Sequence, residues 1–224
     1  MIRQLTFELP GAESLSRADF LVAPSNALVL DMLDRWAAWP QGRLILVGPE
    51  GAGKSHLARI WATDTGAGLV PGVGLAARDI DRLAAAPVVV EDADRLAGSA
   101  PGEAALFHLL NHMGMGQPLL MTARTPPRDW GIALPDLFSR LQAAPVALLH
   151  APDDALLSAV LVKLFADRQV TVAANLIPYL VSRMPRQISA ARRLVAALDA
   201  RALAEARPIT RQLAGDVLDR VFPG

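Results

Sequence analysis

The chain has no cysteine. That excludes disulfides, thiolate catalysis and cysteine-based metal sites. It has no surplus of charge either, with 22 basic against 22 acidic residues. Division at residue 150 changes little: 12 basic and 15 acidic residues precede it, 10 and 7 follow. Neither part is a basic nucleic-acid-binding module by charge, so strong direct DNA binding is not expected. No run of about 18 consecutive apolar residues occurs. The N-terminus, MIRQLTFELPGAES, lacks the apolar stretch of a signal peptide. A soluble, cytoplasmic protein without membrane contact is expected. There are only 4 histidines. His108 and His112 have the i, i+4 spacing that puts two imidazoles on one helix face, but no HExxH pattern accompanies them, and solvated or core histidines are expected rather than a metal pair. The most pointed scarcity is lysine. Of the 22 basic residues only Lys54 and Lys163 are lysines.

One of those two lysines falls where a motif requires it. Residues 48–55 read GPEGAGKS and follow the apolar run Leu44-Ile45-Leu46-Val47. Strand, Gly-rich turn and helix in this order make a P-loop. Gly48 and Gly53 let the backbone turn and come close to phosphate. The loop through Pro49, Glu50, Gly51 and Ala52, and the helix N-terminus as far as His56, point their N–H groups at the anion. Lys54 supplies a point charge for the β- and γ-phosphates, and Ser55 a hydroxyl for Mg²⁺. The bland alternative is a Gly-rich turn with an incidental Lys-Ser; the flanking strand and helix patterns argue against it.

At 224 residues, 52% of them apolar, the chain can bury the core of one medium domain plus a small one. Residues 1–12 read as an extended arm ending at Pro10-Gly11. Ser25–Trp39 reads as an amphipathic helix. After the P-loop, helices are expected over His56–Thr63, Ile80–Ala86, Glu103–His112 and Pro135–Leu141. They alternate with strands at Leu69-Val70, Val88–Val90, Pro118–Thr122 and Val146–Leu149. This alternation implies an α/β fold, a parallel sheet with helices on both faces over residues 13–152. From Asp153, a plausible helix cap, to residue 224 only helices are expected: Asp154–Arg168, Ala173–Arg183, Gln187–Ala206 and Thr210–Val221. They would form a small all-helical lid domain.

A P-loop needs an acidic element at the end of a neighbouring strand. Val88–Asp92 (VVVED) is the candidate, with Glu91 toward the metal and Asp92 where a base would polarise water. Thr122, ending the PLLMT strand, could contact γ-phosphate or orient that water. Arg140, at the end of a short helix, could reach a neighbouring subunit's nucleotide as a finger. Arg186 opens a helix of the second domain and could fold back onto the phosphates. Taken alone, both arginines read more readily as plain surface charges.

In this order the parts resemble an AAA+ ATPase. More narrowly, FLVAPSNALV (Phe20–Val29), GPEGAGKSHLA (Gly48–Ala58), VVVEDADRL (Val88–Leu96), LLMTARTPPRDW (Leu119–Trp130), LPDLFSRL (Leu134–Leu141) and MPRQISAARRLVAAL (Met184–Leu198) resemble the nucleotide-binding region of the bacterial replication initiator DnaA. The resemblance runs from about Phe20 to Val221. It implies ADP or ATP with Mg²⁺ as ligand. Because the chain ends at Gly224 behind the lid, the initiator's helix-turn-helix DNA-binding domain is expected to be absent. The short segment 71–87 leaves little room for the helices with which initiators engage single-stranded DNA. A relative of this kind implies a regulator that acts with the DNA-loaded sliding clamp of DNA polymerase III to stimulate ATP hydrolysis by DnaA. The alternative within the superfamily is a helicase-loader or DNA-remodelling ATPase. In the arm, Gln4, Leu5, Phe7 and Leu9 resemble a clamp-binding peptide; the other reading is a strand burying Leu5, Phe7 and Leu9. A homodimer or oligomer is compatible with both. Glu91 departs from the usual Asp, and Arg124 stands where the initiator carries an acid. Both departures imply a nucleotide held as a structural ligand and hydrolysed slowly.

Overall fold

Five short strands, apolar enough to be covered on both faces, set the architecture. The computed structural model describes residues 20–113 and 117–223; the arm residues Gln4, Leu5, Phe7 and Leu9 lie outside them. The strands β1 (Arg43–Val47), β2 (Gly68–Pro71), β3 (Val88–Glu91), β4 (Leu119–Ala123) and β5 (Val146–Leu148) form one sheet in the order β2-β3-β4-β1-β5. Every pairing is parallel, with Ile45 of β1 facing Met121 on one side and Val146 on the other. The central strands β1 and β4 are buried at every position.

Alternate residues of each strand feed two cores. On one face Leu44, Leu46, Val89 and Leu120 pack against α1 (Ala27–Asp34) and α2 (Lys54–Thr65). On the other, Ile45, Val90 and Met121 meet α4 (Ala100–His112) and α5 (Pro135–Ala143), with the single turn α3 (Ile80–Leu83) at the rim. The remaining helices, α6 (Asp154–Asp167), α7 (Leu176–Arg183), α8 (Ile188–Ala204) and α9 (Arg211–Val221), bury a third core of their own, centred on Leu161, Phe165, Leu180 and Leu194. This is the expected fold class: a parallel αβα sandwich followed by a helical lid. Asp153 caps α6, its carboxylate accepting the Leu156 N–H at 2.7 Å. Among the described residues no helix is long and apolar enough to cross a membrane.

Two helices are shorter than their apolar patterns suggest. The expected helix Ser25–Trp39 survives only as α1. Beyond Asp34 the chain tightens into 3-10 turns at residues 36–38 and 40–42, and the Trp39 indole N–H reaches back to the Met32 carbonyl at 2.7 Å. Trp39 is buried by this fold-back and not by a continuous helical face, while Trp36 stays exposed. Likewise α3 is one turn, started by the Asp79 cap on the Arg82 N–H.

A single carboxylate braces α4 against α5. Glu103, in the first turn of α4, is only 2% exposed. It accepts the N–H groups of Gly98 at 2.9 Å, Ala133 at 3.0 Å and Leu134 at 2.8 Å. Burial pushes its carboxyl up, but these three donors outweigh burial and hold it below its ordinary value of 4.5. Because the folded value is depressed, the stability it contributes is complete above the ordinary value and is lost as pH falls through the folded one. We predict that Glu103→Ala lowers the unfolding free energy at pH 7 by about 2 kcal/mol, since it removes the one acceptor shared by three part-buried backbone donors. We further predict that the gap between wild type and Glu103→Gln narrows on acidification below the ordinary carboxylate range. Urea denaturation across that pH range measures both, and a gap constant with pH would refute the brace.

Candidate functional site

The P-loop is wedged into its position by its neighbours. The Gly48 N–H donates to the Ala123 carbonyl at 3.1 Å, and the Leu149 N–H donates to the Val47 carbonyl at 2.7 Å. A Cβ on Gly48 would lie 2.3 Å from the Leu149 carbonyl oxygen, so no side chain fits there. Gly51 and Gly53 take φ of 76° and 106°, a region that L residues avoid. Ala52 is buried beneath the loop in the α2-side core, and its N–H closes a turn onto the Pro49 carbonyl. The amides at the start of α2 lack intrahelical acceptors and face the cavity above the loop.

That cavity has a volume of about 340 Å³ and is walled by Glu50, Gly51, Gly53, Lys54, Ser55 and His56 from the loop and α2. Arg59, Asp92, Arg124, Ile188, Ser189 and Arg192 complete it. Lys54 is 7% exposed, and its ammonium donates to the carbonyls of Gly48 at 2.7 Å and Pro49 at 2.9 Å. Burial pushes its pKa down; Asp92 and Asp94 draw it back up, and Arg124 depresses it further. The cation is thus already stripped of water and aimed along the loop.

The strand ends bring the acidic residues in. Asp92 lines the cavity in a left-handed conformation, φ 50° and ψ 50°. Its N–H donates to the Thr122 hydroxyl at 2.9 Å. Thr122 is fully buried and is not part of the cavity wall. This residue, expected to contact phosphate or water, has its hydroxyl accept the Asp92 N–H. Glu91 lies on the α2 side of the sheet, in phase with Val89. One of its carboxylate oxygens is buried without a hydrogen-bond partner. An unmet buried oxygen on the same side of the sheet as the Ser55 hydroxyl suits a hard cation that takes its other ligands from phosphate and water. Among the described residues no group of three or more His, Asp or Glu is arranged to cage a metal unaided.

Arg124 follows β4 onto the cavity rim. Its N–H donates to Asp94 at 3.1 Å, and its guanidinium lies 3.4 Å from Glu50, both side chains exposed. Such a pair is worth little and parts readily. Arg186 is not brought to the loop. It precedes α8 and pairs with Asp154 of α6 at 2.9 Å, outside the cavity wall. Arg140, in the last turn of α5, lies over the Phe107 ring at 5.1 Å and also stays out of this cavity.

A second, smaller and more apolar compartment adjoins the first and went unread in the sequence. Phe20, Leu21, Asn26, Leu156, Val160, Lys163 and Leu164 line it, and it shares His56, Ile188 and Arg192 with its neighbour. Phe20 stacks on His56 with ring centroids 5.6 Å apart. Asn26 shapes the entering chain: its amide donates to the Leu21 carbonyl at 3.0 Å and accepts the Ala23 N–H at 2.9 Å. A smaller, more apolar compartment beside a larger one lined by Lys54, Arg59, Arg124 and Arg192 suits a base joined to phosphates.

No family model matches the chain, and no curated protein matches it. Its structure is similar to domain III of the replication initiation protein DnaA from Thermotoga maritima, with 15% identity over 95% of this chain and 98% of that one and a TM-score of 0.79. It is similar to AMPPCP-bound DnaA from Aquifex aeolicus, with 12% identity over 83% of this chain and 65% of that one and a TM-score of 0.72. The third likeness is to a variant of RuvB from Thermotoga maritima, at 17% identity, 89% and 70% coverage and a TM-score of 0.66. Such identities show the fold, and it is the AAA+ P-loop fold in the form seen in DnaA domain III.

The wedge at the loop generates a prediction that separates clash from backbone strain. Gly66, at φ 68°, has no atom within 4 Å of the site of a Cβ, so Gly66→Ala should cost only about 1–2 kcal/mol. Gly48→Ala meets the backbone of Leu149 and should cost about 3 kcal/mol, at or above the usual range for overpacking. Equal losses in chemical denaturation would contradict the wedge.

Proposed function

We propose that the chain is an adenine-nucleotide-binding regulator of replication initiation, of the Hda kind, that stimulates ATP hydrolysis by DnaA and thereby limits initiation. ADP or ATP occupies the two adjoining compartments, base against Phe20 and His56, phosphates on the P-loop. Lys54 and the loop amides neutralise the phosphates. Ser55 and Glu91 would hold Mg²⁺, which when bound screens charge between the phosphates. Asp92, braced by Thr122, borders the same space. The helices from Asp153 onward act as the lid, and residues 13–152 as the body. The arm, through Gln4, Leu5, Phe7 and Leu9, is the sliding-clamp contact.

The observation that carries this reading is where the finger candidate lies. Arg140 is half-buried on α5, the helix that leads into the edge strand β5, and it is not part of its own chain's cavity. An arginine so held does nothing for the bound nucleotide in cis and is available to a nucleotide on a neighbour. Segment 72–87 contains only a 3-10 stretch and the single turn α3. That brevity favours a regulator over an initiator that grips single-stranded DNA.

The tests separate nucleotide, clamp and finger. Lys54→Ala should abolish ADP binding in calorimetry, and unchanged affinity would sink the nucleotide assignment. Alanine at Gln4, Leu5 and Phe7 should release the clamp in a pull-down and leave ADP affinity intact. Arg140→Ala should fold and bind both ligands, yet lose about 10³-fold or more of the stimulated rate, as arginine fingers do. Arg140→Lys should fail too, because an ammonium lacks the planar two-pronged contact. The measurement is DnaA-bound ATP remaining over time with clamp-loaded DNA, and wild-type stimulation by Arg140→Ala would reassign that arginine to the surface.

A further inference from the structure

We infer that Arg43 is a positioning residue for Arg140: it fills the carbonyl acceptor at the end of α4 and so leaves the Arg140 guanidinium free for a nucleotide on a neighbouring molecule. This rests on the trans reading of Arg140 above. Among the described residues the buried polar side chains are Asn26, Arg43, Lys54, Glu103 and Thr122. Asn26 shapes the entering chain, Lys54 bonds the P-loop carbonyls, Glu103 braces α5 and Thr122 meets Asp92. Arg43 serves none of these ends. It opens the central strand β1 and is only 8% exposed. Its guanidinium donates to the Leu110 carbonyl at 2.7 Å and to the Gln41 side-chain oxygen at 3.3 Å. Among the described residues no carboxylate pairs with it. Burial, and then the nearby charge of Arg140, hold its pKa below the ordinary value. A buried cation without an acid is costly to keep.

Leu110 lies in the last turn of α4. Carbonyls there lack intrahelical donors, and the helix dipole makes that end negative. Such an end attracts a guanidinium placed beside it. Arg140 is so placed. It lies over the Phe107 ring at 5.1 Å, and residues 107 and 110 are three apart on α4, so the two guanidiniums occupy neighbouring places on that helix. Yet among the described residues no hydrogen bond or ion pair holds Arg140. Arg43 has taken the acceptor, and its like charge keeps a second cation from joining it. An aromatic face supports a cation without neutralising it. Arg140 therefore keeps its full charge and its N–H donors for an incoming phosphate.

The test measures DnaA ATP hydrolysis on clamp-loaded DNA against rising concentrations of each variant, with folding checked by circular dichroism. The variants are Arg43→Met, Arg43→Leu as a second uncharged form, Arg43→Lys, Arg140→Ala and the double variant Arg43→Met with Arg140→Ala. Loss of the Arg43 charge should lower the maximal rate about tenfold or more, because a misplaced reacting group costs up to about 10²-fold. The half-saturating concentration should stay within about twofold, the mark of a group that acts on the rate and not on association. Arg43→Lys, which keeps the charge and a donor, should retain most of the rate. The double variant should be no slower than Arg140→Ala alone. A second arm needs no DnaA. Phenylglyoxal labels accessible guanidiniums, and labelling at Arg140, read by peptide mass spectrometry, should slow about threefold or more in Arg43→Met as Arg140 takes up the freed carbonyl. Full rate in the uncharged variants, equal loss in Arg43→Lys, further loss in the double variant or unchanged labelling would each overturn the assignment. Wild-type stimulation by Arg140→Ala would instead sink the finger reading, and the labelling alone would then decide whether Arg43 guards the α4 carbonyl.

Discussion

Everything around the cavity depends on how little space the P-loop occupies. It is squeezed between the exit of β5, whose Leu149 carbonyl abuts Gly48, and the entry of α8, whose Gln187 and Ile188 sit on Gly51 and Gly53. Glycine at those points lets sheet and lid share one boundary. A side chain at position 48 would meet the Leu149 backbone, and one at 51 the Gln187 side chain. The cavity is therefore a product of two close backbone approaches, and the polar side chains only furnish it.

A second layer of order is built from groups that never touch the ligand space. Thr122 spends its hydroxyl on the backbone of Asp92, Asp94 accepts from Arg124, and Glu103 gathers two amides at the root of α5 besides the Gly98 amide before α4. Each is a short polar link between segments about 30 residues apart in sequence. Together they couple the strand ends, the cavity rim and the helix bearing Arg140. Thr122 and Glu103 are buried, and buried polar groups are expensive if unmet.

Much of this was legible in the sequence, for identifiable reasons. The run LILV before a Gly-rich turn has one sensible reading, and β1 with α2 follows it. VVV and PLLM are too apolar for anything but covered strands. Asp153 announced the start of α6. What was not legible was angular. The order of residues placed Arg186 at the mouth of the lid, but the rotation of α8 about its axis follows from the Ile188–Gly51 contact, which leaves no periodic trace. The base compartment was invisible for the same reason: Phe20, Asn26 and Leu156 come from distant segments. Trp39 extended the apparent helical face because burial by fold-back leaves the same apolar signal as burial by helix, and Trp36 extended it although it is exposed. The α2-side position of Glu91 could have been read from strand alternation alone, since it is in phase with Val89.

The scarcity of lysine has a consequence for covalent chemistry. The chain carries two side-chain amines, and the structure puts both on the walls of the adjoining compartments, Lys54 in the larger and Lys163 in the smaller. Arginine, which carries the remaining positive charge, is inert to acylating reagents and acetyl donors at neutral pH. A lysine-directed acylation of the described body of this protein, enzymatic or accidental, is therefore never a change to a distant surface. It lands on the walls of these two compartments.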